Sequence, residues 1–388
     1  MKHRTIRLSY LFELSMNLNF MQVLWVSYLF YKGLSLWEIG LVEGIFHIVS
    51  LSMEVPTGLI ADRYGRKLSR ILGACLRLSY MILMLFVSNL PLAIIAFILA
   101  ALSYNLESGS DTALIYDTLV EHQETQHFPK IQAIREIILQ VSSLLGVFVG
   151  GYLADISYVY AIGSTIALFI IGIGIACFFV EPKVIETKHS IKTLSIMGFR
   201  TLMQYPGLVA LMIVGALFSS SLYTTHTYLI VYLQSFNRSL LEASGWSMIE
   251  HLGAIMAGFT IYRFTKFMKL NYTLWMMGIM AFLFWWITKL EIGYIALFGL
   301  GFGESMLYVS ITNMVNQKTP SEVRATVLSM NSMFFSVMMI IMYPMFGWIA
   351  STYSLISAFY GLSALLSVGF IIFLVSMKVF KLKSLNSL

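Results

Sequence analysis

Residues 58–67 read Gly-Leu-Ile-Ala-Asp-Arg-Tyr-Gly-Arg-Lys, a passage that ends one long apolar run and begins another. Asp62 and Arg63 stop the first run, because charge is expelled from the hydrocarbon of a bilayer. Gly65 permits a turn with positive φ, Gly58 permits close approach of a neighbouring helix, and Arg66 and Lys67 set cations at a membrane surface. The flanking runs cover residues 37–61 and 68–88. Each reaches the ~20 residues that an α-helix needs to cross a bilayer. The passage is therefore the short basic loop of a transmembrane helical hairpin.

The same pattern continues in both directions. Ten further apolar runs lie at 8–31, 91–116, 132–155, 158–180, 207–233, 242–262, 271–288, 292–315, 326–350 and 353–377, which predicts twelve spans in an all-α polytopic membrane protein. Composition agrees: 58% of the 388 residues are hydrophobic and 11% are charged, against roughly 25% charged in soluble proteins. A soluble globular fold is thereby excluded. The first run follows Lys2, Arg4 and Arg7, is too long for a signal-peptide core and lacks a small-x-small cleavage site, so it reads as a retained helix. Cys75 and Cys177 fall inside apolar runs, and no disulfide is expected. Most connections are under ten residues. The polar, basic stretch 181–205 is the exception, and it divides the chain into halves at 1–180 and 206–388. Within it, Ile191, Leu194, Phe199 and Leu202 recur at helical spacing beside Lys192 and Arg200, as an amphipathic surface helix would have them.

Cations set the orientation. With the N-terminus inside, 21 of the 25 Lys and Arg residues fall on the inner segments, Lys32, Arg238 and Lys289 fall outside, and Arg77 lies within a span. The positive-inside rule then places both termini and the central loop in the cytoplasm of a cell with this protein in its plasma (inner) membrane.

The 58–67 passage resembles G-x-x-x-D-R-x-G-R-K, the signature between helices 2 and 3 of the major facilitator superfamily, and the six-plus-six division extends that resemblance along the chain. It implies a cytoplasmic gate built on Gly58, Asp62, Arg63, Gly65, Arg66 and Lys67, with Asp62 facing the start of helix 11 and Arg66 meeting an acid at the inner end of helix 4, where Asp117 stands. Pro320-Ser-Glu322-Val-Arg324 is similar to the family's loop between helices 10 and 11, which adds Arg324 to the gate. Gly146-Val-Phe-Val-Gly150-Gly151 resembles the G-P-x-x-G-G element of the drug/proton antiporters, except that Val147 replaces proline. Relatives carry an arginine four residues before the glycine of helix 4, and here that residue is Asn105. By the same resemblance, spans 1, 4, 7 and 10 line a central cavity.

Charged residues inside the spans are the sharpest signal, since each costs about 2.5–3.5 kcal/mol near the bilayer centre unless it pairs, meets water or works. They are Glu13, Glu43, His47, Glu54, Arg77, Glu107, Asp111, Glu136, Glu250, His251 and Glu304. Arg77, in mid-span, requires a carboxylate. Glu43 and His47 are four apart and share a helix face. Glu107 and Asp111 share the same spacing, and two like charges in a dry site make one of them a candidate proton carrier. Glu304 suits a midplane ion site. His226 is expected at the outer interface, twenty residues after Pro206. With the polar Asn17 and Asn105, these considerations select Glu13, Asn17, Arg77, Asn105, Glu107, Asp111, Glu250 and Glu304 as the substrate or proton cavity.

No P-loop, H-E-x-x-H or G-x-S-x-G occurs, so neither an enzyme nor a nucleotide-driven pump is expected, and no cofactor, metal or nucleic acid is called for. The expected function is alternating-access secondary transport: a monomer exporting small amphipathic or cationic compounds against protons. Proton-coupled uptake of a polar nutrient or lipid-like solute is the alternative, and a non-transporting receptor or scaffold is the rival from another class.

Overall fold

The computed structural model describes residues 4–108, 110–182, 191–264, 270–290, 292–320 and 323–379; for residues 62, 191–195, 261–264, 270–271, 324–325 and 378–379 it describes the backbone alone. Every element longer than one turn is an α-helix. The first apolar run becomes two of them, α1 (Arg4–Asn17) and α2 (Trp25–Tyr31). Between them, polar side chains take over the hydrogen bonds that a helix would make internally, as non-helical backbone at membrane depth requires. Met21 N donates to Asn19 Oδ1 (3.0 Å), Phe20 N donates to Thr165 Oγ1 (3.1 Å), and Gln22 Nε2 donates to Ser143 Oγ (2.5 Å).

α3 (Leu36–Tyr64) opens with a capping box: Glu38 N donates to Ser35 Oγ and Ser35 N to Glu38 Oε2. It closes at Gly65, whose φ of 99° is the left-handed turn expected there. α4 (Arg66–Phe86) follows at once. Its first amides, Arg66 N and Lys67 N, donate to the two carboxylate oxygens of Glu181 at 2.6 and 2.7 Å, which satisfies orphan donors with the charge that a helix N-terminus favours. A Cβ on residue 65 would lie 2.8 Å from the Glu181 carboxyl carbon, a second reason for glycine. The close approach expected at Gly58 is not seen, since a Cβ there meets no described atom within 4 Å.

The fourth run also splits, into α5 (Leu90–Glu107), capped by Asn89, and α6 (Ser110–Glu121). α7 (Phe128–Ile156) and α8 (Tyr158–Cys177) complete the first six spans. α9 (Ile191–Met203) forms in the central stretch; Leu202 is buried and Phe199 exposed, and Gly198 lies against Thr326 and Met330 of α14. The remaining helices are α10 (Pro206–Gln234), α11 (Leu240–Phe264), α12 (Leu270–Phe284), α13 (Gly293–Lys318), α14 (Arg324–Thr352) and α15 (Leu355–Val379).

Among the described residues nine helical segments are long and apolar enough to cross a membrane, α5 and α6 counting as one. The other three expected spans fall on the interrupted pair α1–α2, on α11, and on α12, which is the short one. Large apolar side chains such as Phe259, Trp275, Ile341 and Ile372 stand exposed. In water that would be anomalous; in lipid it is the ordinary solvent-facing surface.

The chain forms two compact units, residues 1–186 with 227–245, and residues 187–226 with 246–388. The end of α10 and the start of α11 thus belong to the first unit. There Leu240 N and Leu241 N donate to the Asp155 carboxylate at 2.6 and 3.1 Å, and Ser27 hydrogen-bonds to both Tyr158 and Gln234.

Candidate ion-coupling sites

In the first unit, Arg135 of α7 is the hub. Its Nε donates to Glu13 Oε1 at 2.5 Å, Nη2 to Asp111 Oδ2 at 2.5 Å, and Nη1 to Gln132 Oε1 at 2.7 Å. It is 9% exposed and Glu13 is 7% exposed, so this is a charge-assisted cluster largely withdrawn from solvent. A second arginine, Arg70 of α4, is 2% exposed and reaches the same Glu13 oxygen at 4.0 Å. Its guanidinium lies over the rings of Phe12 and Phe179, with centroids 4.4 and 5.4 Å away. The interruption after Asn17 therefore matters: it ends α1 one turn beyond Glu13, and Glu13 is held where α1, α4 and α7 converge.

The mid-span Arg77 has its carboxylate, Glu107 Oε2 at 3.5 Å, and lies 5.3 Å from the Phe169 ring centre. α5 stops at Glu107, and the helix break gives Glu107 and Asp111 each its own arginine. Asn105 and Ser50 bond reciprocally at 2.7 Å in both directions and tie α5 to α3. Glu43 and His47 approach to 3.6 Å. Asn17 sits partly buried at the end of α1, while Glu54 and Glu136 are exposed, Glu136 accepting from Gln140. At the gate, Arg66 Nε lies 3.8 Å from Asp117 Oδ2, and Arg63 lies over its neighbour Tyr64. The side chains of Asp62 and Arg324 lie outside the described residues, as does Glu322, so their expected gate contacts do too.

The second unit is built differently. Glu304 of α13 accepts a hydrogen bond from Ser219 Oγ of α10 at 2.6 Å. Its other oxygen, Oε2, is sealed from solvent without a hydrogen-bond partner among the described residues. Glu250 of α11 meets His226 of α10, Oε2 to Nδ1, at 2.7 Å, and the His226 and His251 rings are 5.3 Å apart. α13 can approach α11 here because Gly301 has no side chain: a Cβ there would meet the Glu250 carbonyl oxygen at 2.1 Å. No Lys or Arg occurs on α10, and on α13 only Lys318, at its end.

His226 is 8% exposed and engaged with a carboxylate, a partner that its distance from Pro206 does not disclose. Arg135 and Arg70 count as loop cations by sequence and are buried hubs in the structure, and Glu181 reads by sequence only as the start of a linker. A partial signal exists for Arg135, a cation one turn into an apolar run whose acids are Glu136 beside it and Asp155 at its far end.

Helices long and apolar enough to cross a membrane define a polytopic membrane protein, and sequence comparison specifies its class. The pattern of the Major Facilitator Superfamily matches residues 8–290, and the chain belongs to that family. It is 27% identical over 168 residues to the uncharacterized MFS-type transporter YxaM of Bacillus subtilis (strain 168), a match covering 43% of this chain and 41% of that protein's length. Two solved structures share the fold. One is a mutant form of nucleoside transporter NupG, with a TM-score of 0.81 at 15% identity over 99% of this chain and 100% of that one. The other is a D-xylose-proton symporter, with a TM-score of 0.72 at 13% identity over 95% and 96%. The chain is thus a membrane transporter of the superfamily.

Proposed function

We propose that this transporter is a proton-coupled antiporter of the plasma membrane that exports small amphipathic cations, working as a monomer with both termini in the cytoplasm. The observation that carries the reading is Glu304. Its Oε2 is sealed and has no hydrogen-bond partner among the described residues, and neither α13 nor α10 brings a Lys or Arg to it along the apolar part of the helix. Such a carboxylate can take a proton or a substrate cation, and competition between the two is what antiport requires. In the first unit, Glu13, Asp111 and Glu107 already have arginines, so they serve that unit's architecture and conformational bias, with Arg66 and Asp117 at the gate. This assigns the coupled proton to Glu304 in place of the Glu107 and Asp111 pair.

The test uses protein reconstituted in liposomes with tetraphenylphosphonium as the probe cation. Accumulation against its gradient should follow an imposed pH difference, and Glu304→Gln should lose at least tenfold of that gradient-driven flux. Dependence of the opposite sign would identify uptake by symport, and a flux indifferent to pH would remove the proton. Orientation has its own check: single cysteines at Asn89 or Asn237 should label with an impermeant reagent in intact cells, and one at Ser384 should not.

A further inference from the structure

The second unit holds a titratable group that this coupling does not use. We propose that His226 and Glu250, with His251 beside them, form a second proton-binding site, so that each cycle moves two protons. The proposal rests on the proton-coupled reading and deepens it. Nδ1 of a buried imidazole lies 2.7 Å from a carboxylate oxygen, so one proton shared between them leaves the pair neutral and its loss leaves a net negative charge. The pair is therefore a place where a single proton changes the local charge by one. Seven residues of α10 separate His226 from Ser219, the partner of Glu304. At 1.5 Å per residue that is about 10 Å along the helix, enough to make two sites of different depth on one helix.

The surroundings support separate occupancy. The titratable groups packed about the pair are His251 on α11 and Glu304 on α13. α12, α14 and α15 bring no Asp, Glu, His, Lys or Arg to their apolar stretches apart from Arg324 and Lys378 near their ends. The 5.3 Å between rings means that a proton on one imidazole opposes a proton on the other, so this trio takes up one proton before a second. Exchange of two protons for one monovalent cation moves a net charge across the membrane, which exchange through Glu304 alone would not.

The full-length chain, labelled with 15N-histidine in detergent micelles, tests this directly. Across pH 5 to 9 the His226 imidazole resonance, assigned by its loss in His226→Gln, should titrate over the same interval as a carboxyl infrared band that disappears in Glu250→Gln. Glu250→Gln should shift the His226 midpoint by at least tenfold in proton affinity, while Glu304→Gln should shift it by clearly less. If Glu250→Gln is misfolded by circular dichroism or gel filtration, Glu250→Asp carries the comparison and should shift the same midpoint. A His226 midpoint indifferent to the Glu250 substitution overturns the site. In liposomes, tetraphenylphosphonium flux should respond to membrane potential in the wild type and lose that response in Glu250→Gln while still following the pH difference. A coupled titration in a protein that moves no probe cation would sustain the proton site and sink the export reading; pH-driven transport without the coupled titration would do the reverse.

Discussion

The two units solve the same problem with different partners. In each, helices carry acids into a region where an isolated charge costs about 2.5–3.5 kcal/mol. The first answers with arginine: Arg135 on Glu13 and Asp111, Arg77 near Glu107, and Arg70 stacked on Phe12 beside Glu13. The second answers with serine and histidine: Ser219 on Glu304 and His226 on Glu250. Arginine cannot lose its proton in a protein, so it favours the ionised form of a carboxylate bound to it. Serine is neutral and an unperturbed histidine changes charge between about pH 5 and 8, so the second unit lacks that fixed counter-charge. On the proposed reading, the difference separates an arginine-held electrostatic frame from a part that exchanges protons.

The comparison breaks most decisively at Arg135. Arg135→Gln leaves the buried Glu13 and the partly exposed Asp111 with no cation at hydrogen-bond distance among the described residues, and removing one partner of a buried pair such as Arg135–Glu13 destabilises by about 3–5 kcal/mol. Thermal unfolding in detergent should show that loss, and Glu13→Gln with Asp111→Asn on the same background should restore much of it. A melting temperature no lower than that of Arg238→Gln, whose side chain is exposed, would mean that the first unit does not depend on its arginine hub.

In the second unit the same measurement should give smaller numbers. A hydrogen bond to a charged group contributes about 1.5–3 kcal/mol, so His226→Gln should fall in that range. Glu304→Gln should change stability by about 1 kcal/mol or less, because Oε2 has no hydrogen-bond partner to lose and Gln can still accept from Ser219. Transport, by contrast, should suffer more from Glu304→Gln than from any first-unit variant that folds. Equal transport losses in the two units would erase the division of labour.

How much of this the sequence discloses depends on the kind of fact. The runs themselves, the basic 58–67 loop and the need of Arg77 for an acid follow from hydrophobicity and charge alone. The breaks at Asn17 and Ser108 are legible only as polar residues within apolar runs; nothing local says that Phe20 N will find Thr165, because that partner stands 145 residues away. Sequence does not reveal the partner of His226, because distance along a helix gives depth but not the identity of the lateral neighbour, and the neighbour is Glu250, 24 residues further on. Arg135 escapes notice for a related reason. A cation near a span end satisfies the positive-inside rule whether it points to lipid headgroups or inward, and only the convergence of α1, α6 and α7 decides between them. Glu181 shows the limit plainly, since its role as the cap of α4 belongs to a contact over more than a hundred residues.

The smallest expected effect on stability lies at the gate, and it sharpens the comparison by separating conformational bias from proton chemistry. Arg66 Nε and Asp117 Oδ2 are 3.8 Å apart with side chains about a fifth exposed (18% and 23%), a partly solvated pair of the kind that contributes about 0–1 kcal/mol. Asp117→Asn should therefore leave the melting temperature nearly unchanged. The pair joins the starts and ends of different helices, α4 and α6, so its loss should act on the equilibrium between transporter conformations without touching Glu304 or His226. A ligand distinguishes conformations only through its differential affinity. Tetraphenylphosphonium binding should accordingly stay within about a factor of two to three, while turnover falls several-fold; a change of 1.4 kcal/mol in the conformational equilibrium corresponds to tenfold in its constant. The pH dependence of the remaining flux should keep its wild-type shape, since the proposed coupling puts the protons on Glu304 and the His226–Glu250 pair. A pH profile displaced by Asp117→Asn would place a coupled proton in the first unit and return its acids to the transport cycle.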